Sequence, residues 1–285
     1  MSAPVAVLGL GRMGLPMSLN LARSGVAVQA WNRSPREVPD APAGWRACGS
    51  VAEALDGAEV VVTVLPDLAQ VCEVLDGRLR RGQVVVVMGT VSPVGLREWA
   101  SGLDGVGVVD APVSGGTVGA VDGTLSVMVG GADADVVRVL PLLEPMASRV
   151  VRLGPLGSGQ LAKACNQIVV ATTLSALAEA VALGRRGGLD VSALLDVLAA
   201  GLAGSRALEV KRDLLTRHDF TPQGSAAFQH KDLGFALEAA RSEGVAVPVT
   251  ALVDQLFGAM RWTGHGEDDH SGVLQMIELL SGEPG

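Results

Sequence analysis

The chain has 285 residues, enough for two domains at roughly 150 residues each. Charged residues make up 18% and the AVILMFWYC set 48%, which excludes a disordered chain and supplies a large core. The net charge of −8 argues against a broad nucleic-acid surface, and three scattered cysteines (Cys48, Cys72, Cys165) without CxxC spacing argue against a disulfide framework or thiolate zinc site.

The reducing chemistry implied by those cysteines points to the cytoplasm. Met1-Ser2-Ala3-Pro4 runs directly into the apolar Val5-Ala6-Val7-Leu8 without a basic segment, so no secretory leader is expected. Val5 to Leu8 reads as a strand covered on both faces. A helix is predicted from about Arg12 to Ser24, with Gly25 at its C′ position. Strands follow at Val26–Trp31, Val60–Leu65, Val84–Val87 and Val106–Val109. Between them, Ser50-Val51-Ala52-Glu53 is a capping box, Asp67 caps a helix to Leu75, and Ser92-Pro93 opens another with Pro at N1. Strands spaced by helices predict a mostly parallel sheet with right-handed crossovers.

After about Arg152 long helical patterns replace the strands. The longest, Leu161 to Leu183, is apolar enough to mimic a membrane span. It carries Lys163, Asn166, Gln167 and Glu179, costly groups in hydrocarbon, so a buried helix is expected. Asp190 or Ser192 caps the next. Further helices are predicted at Arg206–Leu215, Ser225–Ser242, Thr250–Trp262 and Ser271–Leu280. The domain boundary is placed near Gly154-Pro155, giving residues 1–154 and 155–285.

Gly9-Leu10-Gly11-Arg12-Met13-Gly14 follows the first strand and opens the first helix. The first glycine permits the turn, the second lets a pyrophosphate reach the backbone, and the third lets helix and strand pack closely. The helix N-terminus faces the phosphates. At the end of the second strand an acidic residue would bind the ribose of NAD. Here Asn32-Arg33-Ser34 stands instead, which suits a 2′-phosphate and favours NADP(H), the alternative being an ordinary surface turn. Ser114-Gly115-Gly116, after Asp110-Ala111-Pro112-Val113, can form a nest of N–H groups for a carboxylate, or a simple turn. On the long helix Lys163, Asn166, Gln167 and Val170 share one face. Lys163 is either a snorkelling side chain or a general acid, beside an amide that orients substrate. Nineteen of the 22 basic residues are Arg, and the only lysines are Lys163, Lys211 and Lys231. Arg does not deprotonate in proteins, so a lysine can mark a place where an amine is needed.

Four ordered blocks carry a resemblance across nearly the whole chain. They are Gly9 to Gly14 with Asn20-Leu21, Asp110 to Gly116 with Gly123-Thr124-Leu125, Gly157-Ser158-Gly159-Gln160 with Lys163 and Asn166, and His230-Lys231-Asp232-Leu233. In these the chain resembles the β-hydroxyacid dehydrogenase family, which includes 3-hydroxyisobutyrate dehydrogenases, tartronate semialdehyde reductases and glyoxylate/succinic semialdehyde reductases. Gly201-Leu202-Ala203-Gly204-Ser205 further resembles the tartronate semialdehyde reductases. The resemblance implies an α/β fold: an N-terminal Rossmann-like doubly wound sheet, then an all-α C-terminal domain, joined by a long helix.

The resemblance also implies roles. Lys163 is the catalytic acid/base and Asn166 holds substrate oxygens. Ser114, Gly115 and Gly116 bind a carboxylate. Gly9, Gly11, Arg12, Met13, Gly14, Asn32, Arg33, Ser34, Leu65, Pro66 and Thr90 bind the cofactor, and Lys231 lies near the nicotinamide ribose and the substrate. The implied reaction is NADPH-dependent hydride transfer between nicotinamide and a small β-hydroxy acid or semialdehyde, in a homodimer or homotetramer. The chain departs from the family at Val87 and Gly89, where Asp and Ser are common, and at Gln167, where Asn is common. Related imine reductases share the architecture but usually lack the lysine. A non-catalytic NADP-binding regulator would explain the glycines but not Lys163, Asn166 and Lys231. No metal is expected at His265-Gly266-Glu267-Asp268-Asp269-His270, whose acidic residues suit a helix N-terminus.

Overall fold

Val60–Thr63 and Val84–Val87 are buried at every position, which requires cover on both sides of the strand. The computed structural model describes residues 3–282 and supplies that cover. The chain divides into two compact units between Lys163 and Ala164.

The first unit is built on a nine-stranded sheet. Its parallel part is β1 (Val5–Leu8), β2 (Val28–Trp31), β3 (Trp45–Ala47), β4 (Val60–Thr63), β5 (Val84–Val87) and β6 (Gly107–Asp110), in the spatial order β3-β2-β1-β4-β5-β6. The helices are α1 (Gly14–Arg23), α2 (Val51–Leu55), α3 (Leu68–Leu75) and α4 (Pro93–Ser101). Successive strand residues point to opposite faces, and the two cores divide accordingly. Val5, Val7, Val60, Val62, Val84 and Val86 pack on Met17 and Leu21 of α1. Ala6, Leu8, Val61, Val85 and Val87 pack on Leu55, Val71, Leu75 and Leu96 from α2, α3 and α4. Each fully buried valine contributes roughly 1.5–3 kcal/mol relative to exposure.

The predicted caps form. Ser50, Asp67 and Ser92 accept the N–H groups of Glu53, Gln70 and Gly95. The capping box closes differently from its sequence expectation: the Glu53 carboxylate takes the N–H of Gly49, at 2.8 Å, and pairs with Arg46.

The sheet also extends beyond the expected parallel strands. β7 (Val113–Ser114), α5 (Gly116–Asp122), β8 (Leu125–Gly131), α6 (Asp133–Leu143) and β9 (Ala147–Gly154) follow β6. β8 runs antiparallel to β6 and β7 and parallel to β9.

The second unit is helical. α7 (Ser158–Arg186) begins in the first unit and runs about 43 Å at 1.5 Å per residue. It is followed by α8 (Val191–Ala200), α9 (Arg206–Arg217), α10 (Ala226–Ser242), α11 (Pro248–Trp262) and α12 (Val273–Leu280). Asp190 caps α8 and Ser205 caps α9. Among the described residues α7 is the one helix long and apolar enough to cross a membrane. Its Ala171, Leu174, Ala178 and Val181 instead form a buried stripe against Leu195, Leu208, Leu233, Phe257 and Leu274.

Candidate active site

Registers across the first unit place the carboxyl ends of its strands in one row. Trp31 pairs with Leu8, Leu8 with Thr63, Thr63 with Val87, and Val87 with Asp110. Every candidate segment of this unit leaves the sheet from that row: the glycine loop after Leu8, Asn32-Arg33-Ser34 after Trp31, Leu65-Pro66 after Thr63, Thr90 after Val87, and Ser114-Gly115-Gly116 after Asp110. At about 4.8 Å per strand the row spans about 19 Å. Strand order reverses between β1 and β4, the position where ligands bind in open α/β sheets.

The glycine loop fits a dinucleotide, each glycine for its own reason. Gly9 has φ +99°, and a Cβ there would collide with the Val64 carbonyl. A Cβ on Gly14 would collide with the carbonyl of Gly9. A Cβ on Gly11 would meet no protein atom within 4 Å, so that open face is left for a ligand. No side chain caps the N-terminus of α1, which leaves its dipole end facing the same space. Asn32 acts as a brace: its Oδ1 accepts the Leu10 N–H at 2.9 Å and its Nδ2 donates to the Ser34 carbonyl at 2.9 Å. Arg33 is exposed and pairs only loosely with the exposed Glu73, at 3.5 Å. Exposed pairs of this kind are worth little, so Arg33 is readily redirected.

At the other end of the row Asp110 is fully buried. Its carboxylate accepts the N–H groups of Gly157 at 2.8 Å and Gln160 at 2.6 Å, and so closes the start of α7. Burial pushes the Asp110 carboxyl above its usual range, against the pull of these donors. Gly159 is required by close approach, because a Cβ there would lie 2.9 Å from Asp110 Oδ2. Gln160 is 1% exposed. Its Oε1 accepts the Val91 N–H at 3.1 Å and its Nε2 donates to the Gly89 carbonyl at 2.8 Å. Gly89 itself packs on the Leu65 backbone. Asp110 and Gln160 lie inside the matching blocks, but the resemblance implies no role for either. The available signal was an Asp at a strand end and a Gly-x-Gly-Gln at a helix start.

Gly115 and Gly116 have φ +132° and +64°, and both are exposed. Lys163 lies one turn into α7 and is 9% exposed. Asn166, three residues on, shares its helix face. The Asn166 Oδ1 is buried and has no hydrogen-bond partner among the described residues. Gln167 differs from Asn166: its Nε2 donates to Asp232 Oδ2 at 2.8 Å and approaches Gln229, so it ties α7 to α10. Lys231 stands on α10, 3.2 Å from Asp232 and over the rings of Phe228 and Phe235. The rest of its motif faces elsewhere, His230 towards Asp254 of α11 and Leu233 into the core. Lys211, the third lysine, forms a buried ion pair with Asp269 at 2.9 Å. Among the described residues no group of three or more His, Cys, Asp or Glu is arranged to hold a metal.

Comparison with known proteins identifies the family. Residues 4–154 match the family model for the NAD binding domain of 6-phosphogluconate dehydrogenase. Residues 157–277 match that for the NAD-binding region of NADP-dependent 3-hydroxyisobutyrate dehydrogenase. An NAD(P)-binding oxidoreductase acting on CH–OH groups is the class that fold and matches define. The chain belongs to the β-hydroxyacid dehydrogenase family. It is 34% identical to 2-hydroxy-3-oxopropionate reductase of Escherichia coli K12, over 96% of this chain and 97% of that protein. It is also 34% identical to an NAD-dependent L-serine dehydrogenase of Pseudomonas aeruginosa, over 98% and 99%. A solved 3-hydroxyisobutyrate dehydrogenase of Mycobacterium tuberculosis with L-serine superposes with a TM-score of 0.83 at 32% identity, over 97% of this chain and 99% of that one.

Proposed function

We propose that this chain is an NADPH-dependent reductase of small carboxylated semialdehydes, or the reverse hydroxy-acid dehydrogenase, with Lys163 as general acid/base. The observation that carries this reading is the pair on the first turns of α7. A buried amine stands one turn before an amide whose buried oxygen meets no donor among the described residues. A buried acceptor left unmatched costs about 1–3 kcal/mol, and a substrate hydroxyl would satisfy it.

Gly9, Gly11, Arg12, Met13 and Gly14 would hold the pyrophosphate. Arg33 and Ser34 would hold a 2′-phosphate, and Leu65, Pro66 and Thr90 the nicotinamide half, with Asn32 bracing the loop. The dinucleotide, when bound, supplies or accepts the hydride. The N–H groups of the Ser114-Gly115-Gly116 turn fix the substrate carboxylate. Asn166 orients the substrate's oxygen atoms. Lys163 Nζ gives its proton to the carbonyl oxygen as negative charge develops there, and takes it back in the oxidative direction. Arg33 and Ser114 leave opposite ends of the strand row, so cofactor choice and chemistry are separable by substitution.

Cofactor oxidation with NADPH and NADH over a panel of small semialdehydes, with and without a carboxylate, and cyclic imines tests the proposal. Turnover is expected with the carboxylated aldehydes. NADPH should be preferred by at least about tenfold, on the order of 1.4 kcal/mol, and Arg33→Ala should narrow that preference. Equal use of both cofactors would remove the role of Arg33. Turnover of imines alone would remove the substrate class.

A further inference from the structure

Among the buried polar side chains of the first unit to which the proposed site gives no chemical task, Gln160 is the one next to Lys163 on α7. Gln160 lies three residues before Lys163, on the same face of the first turns of α7. Its two amide atoms reach the backbone on either side of Thr90: Oε1 takes the N–H of Val91 and Nε2 gives to the carbonyl of Gly89. Its own N–H is held by Asp110, the last residue of β6. One residue therefore joins three points: the carboxyl end of β6, the segment after β5 that carries Thr90, and the helix turn that carries Lys163. The joint is rigid. Gln160 is 1% exposed, Val91 is 1% exposed and Asp110 is fully buried.

We infer that Gln160 is a positioning residue, which fixes the Lys163 ammonium relative to the Thr90 wall of the cofactor site. This rests on the reading of Lys163 as proton donor. Proton and hydride reach the same carbonyl group from different parts of the protein, so their sources must be held at one fixed separation. A glutamine suits this task. It offers one donor and one acceptor in a plane, and Gly89 and Val91 present the complementary carbonyl and N–H two residues apart. Glutamate can only accept when ionised, so it would repel the Gly89 carbonyl. Methionine keeps the length and loses both bonds.

The experiment compares Gln160→Met and Gln160→Glu with the unaltered enzyme. Kcat, KM, cofactor Kd by nicotinamide fluorescence and the isotope effect with 4-deuterated cofactor are read alongside thermal unfolding. The expected result is a kcat lower by about tenfold to a hundredfold, the scale of an ångström-sized misplacement. Cofactor Kd should stay within about twofold, since the glycine loop and Arg33 are untouched. The isotope effect should rise as the chemical step slows. A merely structural role would lower the unfolding midpoint but leave kcat per folded site and the isotope effect unchanged. In a Lys163→Ala background Gln160→Met should cost little more, because residues acting as a unit are non-additive.

Normal kcat and isotope effect in a folded Gln160→Met variant would overturn the inference, as would a full additional loss on top of Lys163→Ala. If the Met variant does not fold, Gln160→Asn, one methylene too short to reach both backbone groups, gives the same readouts. Full activity of Lys163→Ala would instead show that the reading of the site itself is wrong. A crippled Lys163→Ala beside a normal Gln160→Met would remove only the role of Gln160.

Discussion

Lys163→Ala is expected to lower kcat by roughly 10²–10⁴-fold, the usual share of a positioned proton donor. Cofactor affinity should change little, because the proposed cofactor contacts of the glycine loop and Arg33 are left untouched. Lys163→Arg separates two explanations. A guanidinium keeps a positive charge that could stabilise a developing alkoxide, but it does not release a proton in the working pH range. Little rescue by arginine therefore identifies proton transfer, while substantial rescue identifies electrostatics alone. Lys163 is only 9% exposed, so both variants must first show native unfolding transitions. Near-normal turnover by folded Lys163→Ala would return this residue to a snorkelling role.

Lys211→Met is expected to destabilise the helical unit by about 3–5 kcal/mol, the usual loss when one partner of a buried ion pair is removed. Asp269 is fully buried, and Lys211 Nζ stands 2.9 Å from its Oδ2. The N–H groups of Gln223, Gly224 and Ser271 also donate to that carboxylate. Methionine would strip away the cation and leave the charge in place. Burial tends to raise the Asp269 pKa, but His270, Lys211 and the Ser271 N–H outweigh it and hold the group below its usual range. A depressed folded-state pKa gives stability that is present above the unfolded-state value, near pH 4, and lost as pH falls through the folded value. The cost of Lys211→Met, read by urea denaturation, should therefore be full at neutral pH and shrink on acidification. A constant cost down to pH 2 would show that packing, not charge, is what the substitution removes.

Local chemistry was legible in the sequence. Ser50, Asp67 and Ser92 cap helices as expected because a cap needs only its own side chain and an N–H three residues on. The valine strands and the glycine loop announce themselves in the same way. β8 was hidden because it ends in Gly130-Gly131 and pairs with β6, β7 and β9 through backbone contacts that carry no local sequence pattern. β9 has no buried position and carries Arg149 and Arg152, so it lacks a buried strand's pattern. α6 starts without a capping side chain and contains Pro141. The Asp110–Gln160 joint spans fifty residues, so the two local signals, an Asp at a strand end and a Gly-x-Gly-Gln at a helix start, do not show that they meet. Gln167 shares the helix face of Lys163 and Asn166 in the sequence, and only the packing of α10 shows that Asp232 engages it. The scarcity of lysine pointed to amines with special tasks. For Lys211 that task is a buried ion pair with Asp269 rather than catalysis.

The distribution of these lysines also governs how the protein meets amine-directed reagents. Lys163 and Lys211 are 9% and 6% exposed, and the Lys231 side chain is 24% exposed. Acylating labels, aldehyde cross-linkers and coupling to activated resins therefore find no freely exposed side-chain amine among the described residues. Of the three, Lys231 is the most accessible, so it is the lysine such reagents reach first.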